Sequence, residues 1–87
     1  MPLPVQARVR TLLKNSGWLQ ADIESLADDA DLYAAGLTSH ATVNLMLALE
    51  EAFDIEFPDR LLRRRTFSSV DAIAEALVEI GVQEEAA

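Results

Sequence analysis

The chain has 87 residues, a formal charge of −8 and no cysteine, and no stretch of it approaches the roughly 18 apolar residues of a membrane span. This length predicts one domain over residues 1–87, with a small core that leaves little room for an enzyme's substrate pocket. The negative charge disfavours nucleic acid and anionic membranes and favours a basic protein partner, while the lack of cysteine excludes disulfides and a thiol nucleophile.

The first third of the chain predicts one helix and one long loop. Apolar residues at helical spacing predict an amphipathic helix over residues 5–15, with Pro4 before it and Gly17 after it. Residues 18–38 show no sustained period, which indicates a loop held to the core by single apolar residues, with a short helical turn over 21–26. Loops of this length are uncommon in compact domains and are often functional.

The rest of the chain predicts three further helices. The strongest covers residues 39–53, with its first amides capped by Thr38 or Ser39 and with an inward face of Thr42, Leu45, Met46, Leu49 and Phe53. A short third helix is expected over 59–65. A fourth begins at a cap formed by Ser68 or Ser69, ends at Gly81, and has an inner face of Val70, Ile73, Ala74, Leu77 and Ile80. The tail after Gly81 is expected to fray. The predicted fold is all-α, a four-helix bundle with a long first loop and a short third helix.

Two motifs flank the second helix. Gly36-Leu37-Thr38-Ser39 precedes it, and LEEAFDIEFPD, residues 49–59, closes it. In order and spacing they resemble the acyl carrier protein family, whose pattern is Gly-Leu-Asp-Ser-Leu before the helix and LEE-x-FDIE-x-P at its end. The resemblance implies a four-helix carrier that catalyses nothing itself. It also implies that Ser39 receives 4′-phosphopantetheine from coenzyme A through a separate Mg²⁺-dependent phosphopantetheinyl transferase. The thiol of that arm would hold the cargo as a thioester.

The chain departs from that pattern around the serine. The family's Asp-Ser-Leu is Thr38-Ser39-His40 here, and the lost acidic residue implies a dedicated transferase, slower modification or a degenerate carrier. His40 is either a specificity contact or an exposed histidine. The variant is similar to stand-alone aminoacyl carrier proteins, whose amino acid:[carrier protein] ligases resemble truncated seryl-tRNA synthetases. By that resemblance the cargo is a small amino acid, such as glycine or alanine, which passes to a downstream acceptor enzyme.

The second helix also predicts a docking face. Val43 and Leu47 lie four residues apart and form an apolar stripe beside the serine. The outer face further includes Ala41 and Ala48 and, as docking residues, His40, Asn44, Glu50 and Glu51. Electrostatic steering is expected from Glu50, Glu51 and the first-loop acids Asp22, Glu24, Asp28, Asp29 and Asp31. Arg63 and Arg64, with Arg60 and Arg65, could contact a ligase or the pantetheine phosphate, or could pair with Asp54, Glu56 and Asp59 as a solvated face.

Other functions fit the sequence less well. The only histidine, His40, is adjacent to Ser39, and neighbouring helical residues diverge, so the pair does not suit a serine hydrolase. A calcium loop counted from Asp29 lacks its required Asp/Asn, Gly and Glu, and we expect no metal site. The alternative from another class is a helical protein-interaction module that carries no prosthetic group. In either case we expect a monomer in the cytoplasm.

Overall fold

The computed structural model describes residues 5–19 and 22–81, and within them every regular element is helical. Three α-helices occur in the order α1 (Val5–Ser16), α2 (Ser39–Phe53) and α3 (Val70–Ile80). A 3₁₀ turn at Ile23–Ser25 lies in the first loop, where a short helical turn is predicted. The all-α class and the three long helices are therefore confirmed. Pro4 and the tail after Gly81 lie outside the described residues.

The predicted short third helix is not an α-helix. Two 3₁₀ turns, Asp59–Leu61 and Arg64–Phe67, replace it. The backbone of Arg63 between them is extended, with φ −130° and ψ 153°, and this interrupts any helical hydrogen-bond ladder. Because nucleating a helical turn is costly, a segment this short that follows a proline gains too few bonds to continue as an α-helix. The described residues thus contain three α-helices rather than four.

The core lies where the three helices meet. α1 packs against both other helices, and each helix contributes two or more side chains that are fully or almost fully buried. Burying each such side chain stabilises the fold by about 1.5–3 kcal/mol. The predicted inner face of the last helix is confirmed except that Ile80 is only half-buried. The central contributors are Val9, Leu13, Leu45, Leu49, Ile73 and Leu77.

The inward face of α2 is confirmed at Leu45 and Leu49, whereas Met46 and Phe53 are only half-buried against the core. Ala41, Leu45 and Leu49 are its buried residues, so Ala41 belongs to the core and not to the outer face. Thr42 is only half-buried, and its hydroxyl donates to the carbonyl oxygen of Thr38 at 2.8 Å. The helix ends at Asp54, which adopts a left-handed conformation with φ 53°.

The first loop is fixed to the helices by polar contacts that its sequence does not reveal. The Arg10 guanidinium of α1 donates to the Asp28 carboxylate at 2.6 Å and to the carbonyls of Ile23 and Leu26 at 2.8 and 2.5 Å. Backbone bonds then tie the loop to the start of α3, from Leu32 N to Ser68 O at 2.7 Å and from Asp71 N to Asp28 O at 2.9 Å. The loop is therefore a fixed structural layer that delivers the chain to the start of α2.

Candidate functional site

Two adjacent hydroxyls at the start of α2 have different surroundings. The Thr38 side chain is the N-cap, and its oxygen accepts a hydrogen bond from the amide of Ala41 at 3.0 Å. Ser39 is the first helical residue, it is exposed, and within the described part of the chain its hydroxyl makes no hydrogen bond. The sequence predicts that either of these two residues is the N-cap. The structure assigns it to Thr38, so the Ser39 hydroxyl is available for other chemistry.

Ser39 lines a small surface hollow of about 190 Å³ together with Tyr33, Thr42 and Arg64. The Arg64 guanidinium carbon lies 3.9 Å from the centroid of the Tyr33 ring, in a cation–π contact. The Tyr33 hydroxyl also donates to the carbonyl oxygen of Arg64 at 2.7 Å. The sequence places Tyr33 and Arg64 31 residues apart, and the fold brings them together at the serine.

A second hollow, apolar in character, adjoins the first. It has a volume of about 250 Å³ and shares Thr42 and Arg64 with the hollow around Ser39. Val43 at its rim is 54% exposed, and Leu47, one turn further along α2, is 52% exposed, as helical spacing predicts. Leu62 lines the same hollow and is 46% exposed, a contribution that no periodic pattern in the sequence indicates. The lining residues are Thr42, Val43, Met46, Leu62, Arg63, Arg64 and Phe67.

Not every predicted docking residue is available on the surface. Glu50 is half-buried, and its carboxylate accepts a hydrogen bond at 2.9 Å from the backbone amide of Phe57, in the segment that follows α2. Its first role is therefore structural. His40 and Glu51 are exposed on α2, while Asn44 is half-buried.

Most of the predicted steering acids are also engaged in local structure. Asp22 accepts from the amide of Glu24, Asp28 pairs with Arg10, and Asp31 accepts from the amide of Tyr33. Glu24 pairs with Lys14, and this carboxylate raises the pKa of Lys14 by hydrogen bonding and charge attraction. These acids still contribute negative potential, but their positions are set by the fold.

The arginines divide between two surfaces. Arg64 lies at the serine, whereas Arg60 and Arg65 line a hollow of about 370 Å³ against α3, and Arg63 contributes to that hollow and to the apolar one. Arg60 pairs with Glu79 at 2.5 Å. The alternative in which it pairs with Asp54, Glu56 or Asp59 is therefore wrong for this arginine.

The start of α2 fits a phosphopantetheine group on structural grounds. The attachment atom would be an exposed hydroxyl that no capping bond occupies. The first amides of a helix lack intrahelical partners and carry the positive end of its dipole, which favours a phosphodiester anion. A cationic side chain, Arg64, shares the hollow. Within residues 5–19 and 22–81, no helix is long and apolar enough to cross a membrane and no acidic or histidine cluster could hold a metal ion.

Comparison with known proteins establishes the class. A family profile described as a phosphopantetheine attachment site matches residues 7–77. The chain therefore belongs to this phosphopantetheine-binding family and is a carrier protein.

Individual proteins and solved structures that resemble this chain are also carrier proteins or complexes that contain one. The aminoacyl carrier protein of Agrobacterium fabrum is 52% identical over 73 residues, which cover 84% of this chain and 88% of the relative. Among solved structures, one match is to a chain in the crystal structure of an engineered Bradyrhizobium japonicum glycine:[carrier protein] ligase complexed with a carrier protein from Agrobacterium tumefaciens and ATP. The TM-score is 0.82, with 51% sequence identity, and the match covers 87% of this chain and 99% of the other. A second match has a TM-score of 0.66 and 33% identity over 83% of this chain and 97% of the other. It is to a chain in the crystal structure of a Bradyrhizobium japonicum glycine:[carrier protein] ligase complexed with glycylated carrier protein.

Proposed function

We propose that this chain is an aminoacyl carrier protein whose phosphopantetheine arm is attached to the Ser39 hydroxyl. The observation that carries the proposal is the division of roles at the start of α2, where Thr38 caps the helix and leaves the exposed Ser39 hydroxyl without a hydrogen bond among the described residues. In the modification, the Ser39 hydroxyl loses its proton and forms a bond to the pantetheine phosphorus of coenzyme A. The bond from that phosphorus to adenosine 3′,5′-bisphosphate breaks.

The bound group would supply a terminal thiol that holds the cargo as a thioester. The protein's own residues position this group. Thr38 fixes the first turn of α2, and the first loop, held by Arg10, fixes the approach to Thr38. Among the described residues, no side chain forms a hydrogen-bonded nucleophile and base pair with Ser39. The exposed His40 is adjacent to it on the helix, where neighbouring side chains do not face each other. We therefore infer that the chain presents a cargo to other enzymes and does not catalyse a reaction.

The nature of the cargo is inferred from the relatives. A 52% identical protein is an aminoacyl carrier, and two structural neighbours are carrier proteins in complexes with glycine:[carrier protein] ligase. The Thr38-Ser39-His40 variant supports the same assignment. We infer that a ligase of this kind loads a small amino acid, glycine in the first instance, and that an acceptor enzyme receives it.

The proposed docking surface for that ligase is the apolar ridge formed by Val43, Leu47 and Leu62. All three side chains are about half exposed, and the ridge adjoins the hollow that contains Ser39. Exposed apolar side chains beside a tethered group suit a partner interface, whose energetic centre is generally apolar. His40, Glu51 and Arg63 would lie at its margin.

The attachment is tested by intact mass. The protein is incubated with coenzyme A, Mg²⁺ and a broad-specificity phosphopantetheinyl transferase. We expect one added phosphopantetheine for the wild type and for Ser69→Ala, a second helix-start serine, and none for Ser39→Ala. An unmodified wild type would contradict the carrier assignment and favour an interaction module without an arm.

The cargo and the docking surface are tested on the modified protein. We expect a glycine:[carrier protein] ligase with ATP to load glycine, whereas loading of fatty acyl groups alone would exclude the aminoacyl assignment. Val43→Ala should raise KM for the carrier roughly five- to tenfold. Val78→Ala is the matched control, because Val78 is 53% exposed but lies on α3, in a different hollow with Val5 and Gln6. Equal effects of the two changes would exclude the ridge as the docking surface.

A further inference from the structure

Arg64 differs from the other arginines of its segment in two respects, its hollow and its contact with Tyr33. It is the one that lines the hollow around Ser39, whereas Arg60 and Arg65 line the hollow against α3. Its guanidinium is held by the face of the Tyr33 ring at 3.9 Å, and its backbone carbonyl accepts the Tyr33 hydroxyl at 2.7 Å. Within the described residues it forms no ion pair with any carboxylate, unlike Arg60, which pairs with Glu79.

Stacking leaves the donors of Arg64 free to bind a ligand. A guanidinium that lies over an aromatic ring uses its π face, while its N–H groups point outward in its plane. Those groups form a fork that matches the oxygens of a phosphate better than the single charge of a lysine would. Tyr33 thus holds a cation with open hydrogen-bonding capacity beside the hydroxyl of Ser39.

The protein also has an electrostatic need for such a cation. Adding a phosphodiester gives another negative charge to a chain of formal charge −8. Mutual repulsion among these charges disfavours the modified state unless a nearby cation offsets it. Arg64 is the arginine placed to do so, and the residue before Ser39 is the neutral Thr38, which adds no opposing charge.

We propose that Arg64, stacked on Tyr33, is the counter-ion for the phosphodiester and holds the root of the arm against the protein surface. Arg64 is a positioning residue in this role. The inference rests on attachment at Ser39 and adds that the first segment of the arm has a preferred orientation, toward the hollow that Ser39 shares with Thr42. The rest of the arm then leaves from a fixed point rather than from a freely rotating side chain.

The test is a thermodynamic cycle on the intact protein. Unfolding equilibria are measured in urea for the unmodified and modified forms of the wild type, Arg64→Gln and Arg65→Gln, with the attachment of each modified sample verified by mass. Arg65→Gln removes the same charge from the neighbouring position, which faces the other hollow. Comparing modified with unmodified protein cancels any direct cost of losing the Tyr33 stacking. The quantity compared is the ratio of the unfolding equilibrium constant of the modified form to that of the unmodified form. We expect this ratio to be roughly two- to fivefold larger for Arg64→Gln than for the wild type, and to be the same for Arg65→Gln as for the wild type.

A second measurement uses the wild type alone. Modification should shift the Nε–H resonance of Arg64 in a ¹⁵N spectrum and leave that of Arg65 in place, and 0.5 M NaCl should reduce the shift because the contact is exposed. If Ser39 is modified but the Arg64 signal does not move and the cycle shows no coupling, Arg64 is not the counter-ion, while the carrier assignment stands. If the wild type gains no mass, the attachment itself fails.

Discussion

Removing each of the two hydroxyls at the start of α2 should have opposite consequences for stability and for modification. Thr38→Ala deletes the acceptor of the 3.0 Å bond from the amide of Ala41, and Ser39→Ala deletes a hydroxyl with no bond among the described residues. Loss of an N-cap costs about 0.5–2 kcal/mol. Because Thr38 is exposed, water replaces part of the lost bond, and we expect a cost near the middle of this range, about 1 kcal/mol. Ser39→Ala should change the free energy of unfolding by less than about 0.5 kcal/mol.

The assay is urea unfolding of the unmodified protein. Trp18, the only tryptophan, is half-buried against the core and reports the transition by fluorescence. In a domain of this size, 1 kcal/mol corresponds to a fall in Tm of about 4–8 °C. Ser69→Ala is the positive control, since Ser69 caps α3 through a 3.0 Å bond from the amide of Ala72. In parallel, Thr38→Ala should accept the arm and Ser39→Ala should not. A Ser39→Ala variant as destabilised as Thr38→Ala would refute the division of roles.

Three further predictions concern contacts away from the serine. Arg10→Ala should lower the free energy of unfolding by about 2–3 kcal/mol in urea, because one charged group satisfies a carboxylate and two loop carbonyls; a cost under about 1 kcal/mol would mean that the loop is held by other contacts. Glu50→Ala should cost about 1 kcal/mol and the exposed Glu51→Ala less than about 0.5 kcal/mol, and the reverse order would restore Glu50 to the docking surface. Lys14 is the only lysine, so its ¹³Cε signal can be titrated directly, and Glu24→Gln should lower its pKa. The stabilisation from this pair is present below the ordinary lysine value of 10.5 and is lost as pH rises through the raised pKa; an unchanged titration would exclude the contact.

The elements that the sequence predicts correctly are those with a sustained period. Three helices, their stops and most buried positions follow from apolar spacing. Attachment at Ser39 rests on the motif that precedes α2 and stays a prediction. The error at Ala41 and Thr42 arises because the two residues lie on neighbouring edges of one face. Helical spacing places the threonine inward, whereas its hydroxyl donates to the Thr38 carbonyl and the residue is only half-buried.

The contacts that the sequence did not reveal join residues that do not share a helix or turn. Nothing local indicates that Tyr33 holds Arg64, or that the Glu50 carboxylate accepts the amide of Phe57 beyond the end of the helix. The short third segment forms 3₁₀ turns and not an α-helix for a local reason, the extended backbone at Arg63. The free-energy difference between these two conformations is too small to be read from the composition of the segment. Periodicity therefore predicts the helices, whereas the polar contacts around the site depend on how distant elements pack together.

The backbone bonds between the first loop and the start of α3 have a consequence for when the carrier becomes competent during synthesis. They join Leu32 to Ser68 and Asp28 to Asp71, which are 36 and 43 positions apart, and Leu37 enters the core immediately before Thr38. A growing chain that has exposed residues up to the end of α2 already contains Ser39 but lacks the partners that hold its approach segment. A transferase that requires the folded helix start would then find no substrate until the start of α3 has left the ribosome, so that shorter, incomplete chains would escape modification.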